Sequence, residues 1–190
     1  MPLPLKIEAM TAEEFYSYTD EEHCELIDGY LYDMAAPSRL HQAVLRELVG
    51  LVDRYIKEKG GDCTVYPAPF NVQLSDEEDT VLEPDITVIC DRSKLTDRGC
   101  LGAPDWIIEI ASPGSISHDF IEKLKLYSRA NVHEYWIVNP SDQSVTVYML
   151  DKSAVADSYK FTDVVPVGIY SDFSIDFNQI IEMLKREDLK

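Results

Sequence analysis

One acid of this 190-residue chain falls where acids seldom fall, and a second acid and a lysine read as its neighbours. Glu109 lies inside Trp106-Ile107-Ile108-Glu109-Ile110, a run that otherwise reads as a fully buried strand. An ionised carboxylate in apolar surroundings is strongly disfavoured, so Glu109 must be protonated, paired or bound to a cation. Asp85, in Glu83-Pro84-Asp85, stands at the mouth of a second apolar run, Ile86-Thr87-Val88-Ile89-Cys90, which reads as the neighbouring strand. Two acids on adjacent strands form a cradle for a hard cation such as Mg²⁺, with Mn²⁺ able to replace it, because such ions take oxygen ligands and keep several waters. Downstream, Ser117 to Ala130 reads as a helix that carries Lys123. The chemistry on offer is that of a carboxylate-held metal with a cation beside it.

The elements that must position these groups are legible along the chain. Thr11-Ala12-Glu13-Glu14 is a capping box that opens a helix through Tyr18. Cys24-Glu25-Leu26-Ile27 and Tyr30-Leu31-Tyr32 flank Asp28-Gly29, the turn signal of a β-hairpin, with Glu25 on the first arm, where the residues alone read as an exposed strand acid. Val44, Leu48, Leu51, Val52, Tyr55 and Ile56 recur at helical spacing between Pro37-Ser38 and Gly60-Gly61, which predicts a helix from Arg39 to Lys59. His41 sits in its first turn on the border of the buried stripe, a place more often filled by a structural histidine than by a catalyst.

Residues Cys63 to Tyr66 and Phe70 to Leu74 read as strands, and Asp91 to Pro104 as an irregular connector marked by Gly99, Gly102 and Pro104. Ser112-Pro113-Gly114-Ser115 is a loop, Ser117 can cap the helix that follows, and Asn131 can end it in the left-handed conformation. Glu134 to Val138 and Ser144 to Leu150 are strands joined by a turn at Asn139-Pro140-Ser141-Asp142. The tail offers a strand around Val164 to Tyr170 and a helix near Phe177 to Leu184. The expected architecture is α/β (α+β): a central mixed sheet flanked by helices, with an N-terminal hairpin. No GxGxxG, GxSxG or HExxH is present, which argues against a dinucleotide fold, a hydrolase elbow or a zinc protease.

Length and composition suit one domain over residues 1–190, burying roughly 70% of the unfolded surface. With 17 Lys+Arg against 35 Asp+Glu the net charge is −18, which opposes nonspecific attraction to phosphate polymers. Any nucleic-acid contact must then use a local basic patch. Cys24, Cys63, Cys90 and Cys100 form no CxxC pair and read as buried reduced thiols. No run reaches the ~20 apolar residues of a membrane helix, and no cleavable leader is recognisable, so a cytoplasmic protein without membrane contact is expected.

Glu25-Leu26-Ile27-Asp28-Gly29, Pro37-Ser38 with His41, Glu83-Pro84-Asp85, Gly102-Ala103-Pro104-Asp105, Ile108-Glu109-Ile110 with Ser112-Pro113, Asp119 to Lys123 to Tyr127, and Glu134-Tyr135-Trp136 form an ordered set. Together they resemble the Uma-type restriction-endonuclease family of the PD-(D/E)XK nuclease superfamily, over about Met10 to Leu150. The resemblance implies a restriction-endonuclease-like core and metal-dependent cleavage of phosphodiester bonds in DNA, with Asp85, Glu109 and the carbonyl of Ile110 as metal ligands. In the simplest superfamily pattern the lysine lies two residues after the second acid. Here that position is Ala111, and the Uma-type pattern supplies the lysine from the next helix, where this chain has Lys123.

Glu25 would complete the metal shell or act on water, and His41 would help place the phosphate. Positions two apart on a helix point about 200° apart, so only one of Lys123 and Lys125 can face the metal; Lys123, in the row Asp119, Lys123, Tyr127 at the border of the packed stripe, is the one the resemblance implies as catalytic. On the sequence alone, Lys123→Ala is expected to abolish cleavage and spare the fold. A homodimer is expected, as in similar enzymes that make paired cuts. Two other classes suit the acidic chain: a binding or assembly module that keeps the fold without turnover, and a phosphodiesterase for small nucleotides.

Overall fold

The computed structural model describes residues 9–17, 23–112, 118–151 and 156–189, the side chains of residues 118 and 119 excepted. The expected loop from Ser112 to Ser115 and the cap at Ser117 fall almost wholly outside the described residues.

The capping box forms as expected, opening α1 (Ala12–Ser17): Thr11 N–H donates to Glu14 Oε2 at 2.7 Å, and Glu14 N–H donates back to Thr11 Oγ1 at 3.2 Å. Strands β1 (Cys24–Ile27) and β2 (Tyr30–Asp33) make the hairpin. Asp28 and Gly29 turn it with φ of 48° and 83°, the two positive values its tight turn requires. Helix α2 (Arg39–Lys59) begins at Ser38, whose hydroxyl accepts from the amide of His41, and ends at Gly60 in the left-handed conformation.

The main sheet follows from alternation. It has six strands, in the order β12 (Ala156–Lys160), β11 (Ser144–Met149), β10 (Glu134–Asn139), β9 (Trp106–Ile110), β6 (Ile86–Ile89) and β3 (Thr64–Pro67). Only β9 and β10 run parallel; helix α3 (His118–Arg129) is their crossover, and the other pairs are antiparallel. Trp106, Ile108 and Ile110 of β9, Ile86 and Val88 of β6, and Trp136 and Val138 of β10 face one side. There they pack against α2 and α4 (Asn178–Arg186) through Val44, Leu48, Val52, Ile180 and Met183. The odd residues, Ile107, Ile89 and Tyr135, face the other side, against Leu126 and Tyr127 of α3. Period two therefore sends Glu109 toward α3.

A second six-stranded sheet stands over that other face, in the order β2, β1, β5 (Val81–Leu82), β4 (Val72–Gln73), β8 (Gly99–Leu101), β7 (Leu95–Thr96). The sequence reading places one central sheet, and it takes 91–104 for irregular connector. Instead a short 3-10 turn (Arg92–Lys94) leads into the β7/β8 pair, and β8 runs parallel to β4. Gly99 permits this, with a φ of 133° and its Cα so close to Asn71 that a Cβ would collide with the Asn71 carbonyl oxygen. Cys63 and Cys90 also correct the sequence reading: they are disulfide-bonded across β3 and β6, while Cys24 and Cys100 are buried and outside any disulfide.

The tail contributes β13 (Val164–Pro166) and β14 (Ser174–Asp176), which pair with each other. A buried acid ties it down. Glu134 Oε1 accepts from Trp136 Nε1 at 2.6 Å and from Gly168 N at 2.9 Å, and Oε2 accepts from Ile169 N at 2.9 Å. Among the described residues, no helix is long and apolar enough to cross a membrane.

Gly99→Ala should cost about 3 kcal/mol or more in urea unfolding, because both the positive φ and the contact with Asn71 oppose a side chain. Gly60→Ala should cost only about 1 kcal/mol, since φ is 65° there but the space is open.

Candidate active site

The site is assembled by pairing. Strands β6 and β9 are antiparallel with Ile86 opposite Ile108, so one further step brings Asp85 across from Glu109. Opposed residues share a face, with Cβ atoms about 5 Å apart. The backbone amide of Ile110 donates to Asp85 Oδ2 at 2.7 Å, which fixes the approach. From α3, Lys123 and Tyr127 reach down one turn apart, as residues four apart on a helix do. Lys123 Nζ donates to Glu109 Oε1 at 3.0 Å, and Tyr127 Oη donates to the same oxygen at 3.0 Å. Lys123 Nζ also donates to Glu25 Oε1 at 2.9 Å, so Glu25 of the hairpin joins the group. The amide of Glu83 donates to that same Glu25 oxygen at 2.9 Å.

His41 arrives from α2, on the other side of the sheet. Its Nε2 lies 3.1 Å from Asp85 Oδ2. A carboxylate oxygen accepts, so Nε2 is the ring nitrogen that donates. Nδ1 is buried without a hydrogen-bond partner among the described residues. The structure thus brings together Asp85, Glu109, Lys123, Glu25, His41 and the backbone of Ile110. Glu25, given from the residues alone as an exposed strand acid, is 6% exposed, as is His41. Lys123 is 5% exposed, whereas Lys125 is turned to solvent. Lys123→Ala would leave buried Glu25 and Glu109 without this cation, so a stability loss is to be expected beside any loss of activity.

The electrostatics are lopsided. Glu25 and Glu109 both take the ammonium of Lys123, and Asp85 adds a third carboxylate across from Glu109. Burial pushes the Glu109 carboxyl up to about 7; Lys123 opposes the rise, and the charges of Asp85 and Glu25 add to it. Glu83, half-buried nearby, is also raised, by burial first. Burial and the Glu109 charge hold the Tyr127 phenol well above its ordinary range, so it remains an O–H donor.

This donor set fits a hard divalent cation on chemical grounds. Both donors to Asp85 use Oδ2 and both donors to Glu109 use Oε1; Asp85 Oδ1 and Glu109 Oε2 carry no hydrogen bond among the described residues. No three His, Cys, Asp or Glu side chains among the described residues make a preformed cage. Mg²⁺ does not require one, since it binds through one or two carboxylates and keeps its waters.

Two participants escape the sequence reading of roles. Tyr127 is named there only within the ordered set and its helical row and is given no role, although its spacing of four from Lys123 is the available signal. Glu83 is quoted beside Asp85 without a function, and nothing in its spacing distinguishes it from the other acids.

Comparison with known proteins places this chain among relatives. The Uma2 family description, "Putative restriction endonuclease", matches residues 12–176. An uncharacterised Synechocystis protein, slr1290, is 24% identical over 143 residues, 73% of each chain. The crystal structure of "a putative nuclease belonging to DUF820" from Anabaena variabilis superposes with a TM-score of 0.76, covering 92% of this chain and 99% of that one at 22% identity. That likeness shows a shared fold.

The raised Glu109 carboxyl sets a pH dependence. Between the ordinary carboxylate range and about 7 the native state holds a proton that the unfolded state has released, so stability falls as pH rises through that window. Thermal melts without divalent metal should show this loss between about pH 5 and 7.5, amounting to roughly 3 kcal/mol from this group. Glu109→Gln should flatten the profile.

Proposed function

This chain belongs to the Uma2 family, and from that premise we propose that it is a metal-dependent endonuclease hydrolysing phosphodiester bonds in DNA. The observation that carries the reading is the meeting of Asp85 and Glu109 on opposed strands with Lys123 on Glu109, all inside a site whose negative charge exceeds its positive charge. Asp85 and Glu109, with the Ile110 carbonyl and waters, would hold Mg²⁺ or Mn²⁺. When bound, the ion supplies Lewis acidity and a water activated for in-line attack.

The residues of the chain do the rest. Lys123 offsets the charge that develops on the phosphate oxygens. Glu25 keeps the ammonium in place by accepting from it at 2.9 Å, which favours holding Lys123 over direct attack on water. His41 and the Ile110 amide hold Asp85 by Oδ2, so His41 orients an acid rather than the phosphate. Substrate would meet a local basic patch, and a homodimer would allow paired cuts.

One observation favours a second reading, a binding module or an enzyme for small nucleotides. Arg46, Lys57, Lys59, Arg98, Arg129 and Lys185 are each ion-paired with an acid, so these surface cations offer little to a long polyanion.

Incubation with plasmid, single-stranded DNA, RNA and cyclic nucleotides, with Mg²⁺ or Mn²⁺ and with chelator, separates the readings. Metal-dependent plasmid cleavage is expected; none of any substrate defeats the enzyme reading. Asp85→Asn and Lys123→Ala should each lower cleavage at least ~100-fold, the latter with a stability loss of about 3 kcal/mol. Lys125→Ala should stay within a few-fold of the parent.

A further inference from the structure

One buried group touches the site without a part in the reaction as described above: the phenol of Tyr127. Its ring is fully buried, edge-on to Tyr135 with centroids 5.0 Å apart. Packing alone explains an aromatic ring there but not the direction of its hydroxyl. That hydroxyl donates to Glu109 Oε1 at 3.0 Å, the oxygen that also takes the Lys123 ammonium at 3.0 Å. Both donors belong to α3 and lie one turn apart, so the helix grips Glu109 by one oxygen.

The two donors are not equivalent. Lys123 reaches on a flexible stem and is already shared with Glu25. Tyr127 has a rigid ring fixed by burial, so it holds a point in space that the ammonium alone does not. On the other acid the pattern recurs, with the Ile110 amide and His41 both on Asp85 Oδ2. In each case one carboxylate oxygen takes two donors and the other takes none among the described residues.

We propose that Tyr127 is a positioning residue, which holds Glu109 by Oε1 and thereby presents Oε2, with Asp85 Oδ1, to the divalent cation. The proposal rests on the metal-dependent reading and adds to it the group that orients the second acid. Outer groups that orient a ligand typically govern metal affinity or activity by about 10- to 100-fold.

Tyr127→Phe deletes the hydroxyl and keeps the ring on Tyr135. Mn²⁺ titration by calorimetry on the full chain, comparing parent, Asp85→Asn and Tyr127→Phe, tests the idea together with cleavage kinetics. The parent should bind Mn²⁺, Asp85→Asn should lose binding, and Tyr127→Phe should bind about 10- to 100-fold more weakly. Its kcat should fall with KM for DNA unchanged, because the phenol does not touch substrate. Tyr127→4-aminophenylalanine, which restores a donor at the same point, should recover most of the affinity. Should Tyr127→Phe fail to fold, Tyr127→4-fluorophenylalanine against the 4-amino variant supplies the same contrast of donor and no donor. Mn²⁺ affinity within twofold of the parent in the donor-free variant, whatever its melting temperature, overturns the positioning role and leaves the metal site standing. A parent that binds no Mn²⁺ overturns the metal reading and this role with it.

Discussion

Lys123 lies buried between Glu25 and Glu109, and through those contacts three parts of the chain meet. Glu25 comes from the hairpin of the second sheet, Glu109 from the middle of the main sheet, and Lys123 from the crossover helix. Taking charges out of water costs several kcal/mol per ion, and well-packed apolar residues often stabilise a core as well as a buried ion pair does. Such a group is therefore poor at explaining stability and good at fixing geometry, since each acid that loses the ammonium becomes a buried charge without compensation. The docking of the hairpin over the main sheet is bound to the integrity of the site.

The two faces of the main sheet divide the work. One carries Trp106, Trp136, Phe161 and Phe177 under α2 and α4, a continuous apolar layer among its buried residues. The other is interrupted by Glu109, and its apolar residues pack on the same side of the sheet as the polar group. Low polarity around the acids is what raises Glu109, and it strengthens every electrostatic contact made there. Asp85, just before the first residue of β6, is reachable from both layers, which is how His41 of α2 and the amide of Ile110 hold one oxygen.

Much of this was legible in the sequence because the signals were periodic. Strand β9, helix α2 and the Asp28-Gly29 hairpin each carry enough repeats, or a specific enough turn, for local chemistry to decide them. The second sheet was not legible, since β4, β5 and β7 are two residues long and no alternation can show in two residues. Gly99 and Gly102 were read as punctuation, whereas Gly99 serves a close approach of two backbones. The link between Cys63 and Cys90 depends on the antiparallel register of β3 and β6, which spacing along the chain does not reveal. Within the site, Glu109 announced itself as a charge out of place, whereas Asp85 and Lys123 stood out through the ordered set of residues shared with a known family. Tyr127 did not, because an aromatic residue on an apolar stripe needs no explanation until its hydroxyl is located.

The buried acid at the start of β10 has a bearing on how the tail fluctuates. Glu134 takes the amides of Gly168 and Ile169, residues that lie in a turn and outside any strand ladder. Turn amides usually exchange their hydrogen with solvent almost as fast as an open chain, whereas these two can do so only when the segment lifts off the sheet. Their exchange rates are a built-in gauge of that opening, and they can be read without disturbing the acids on the other side of the molecule.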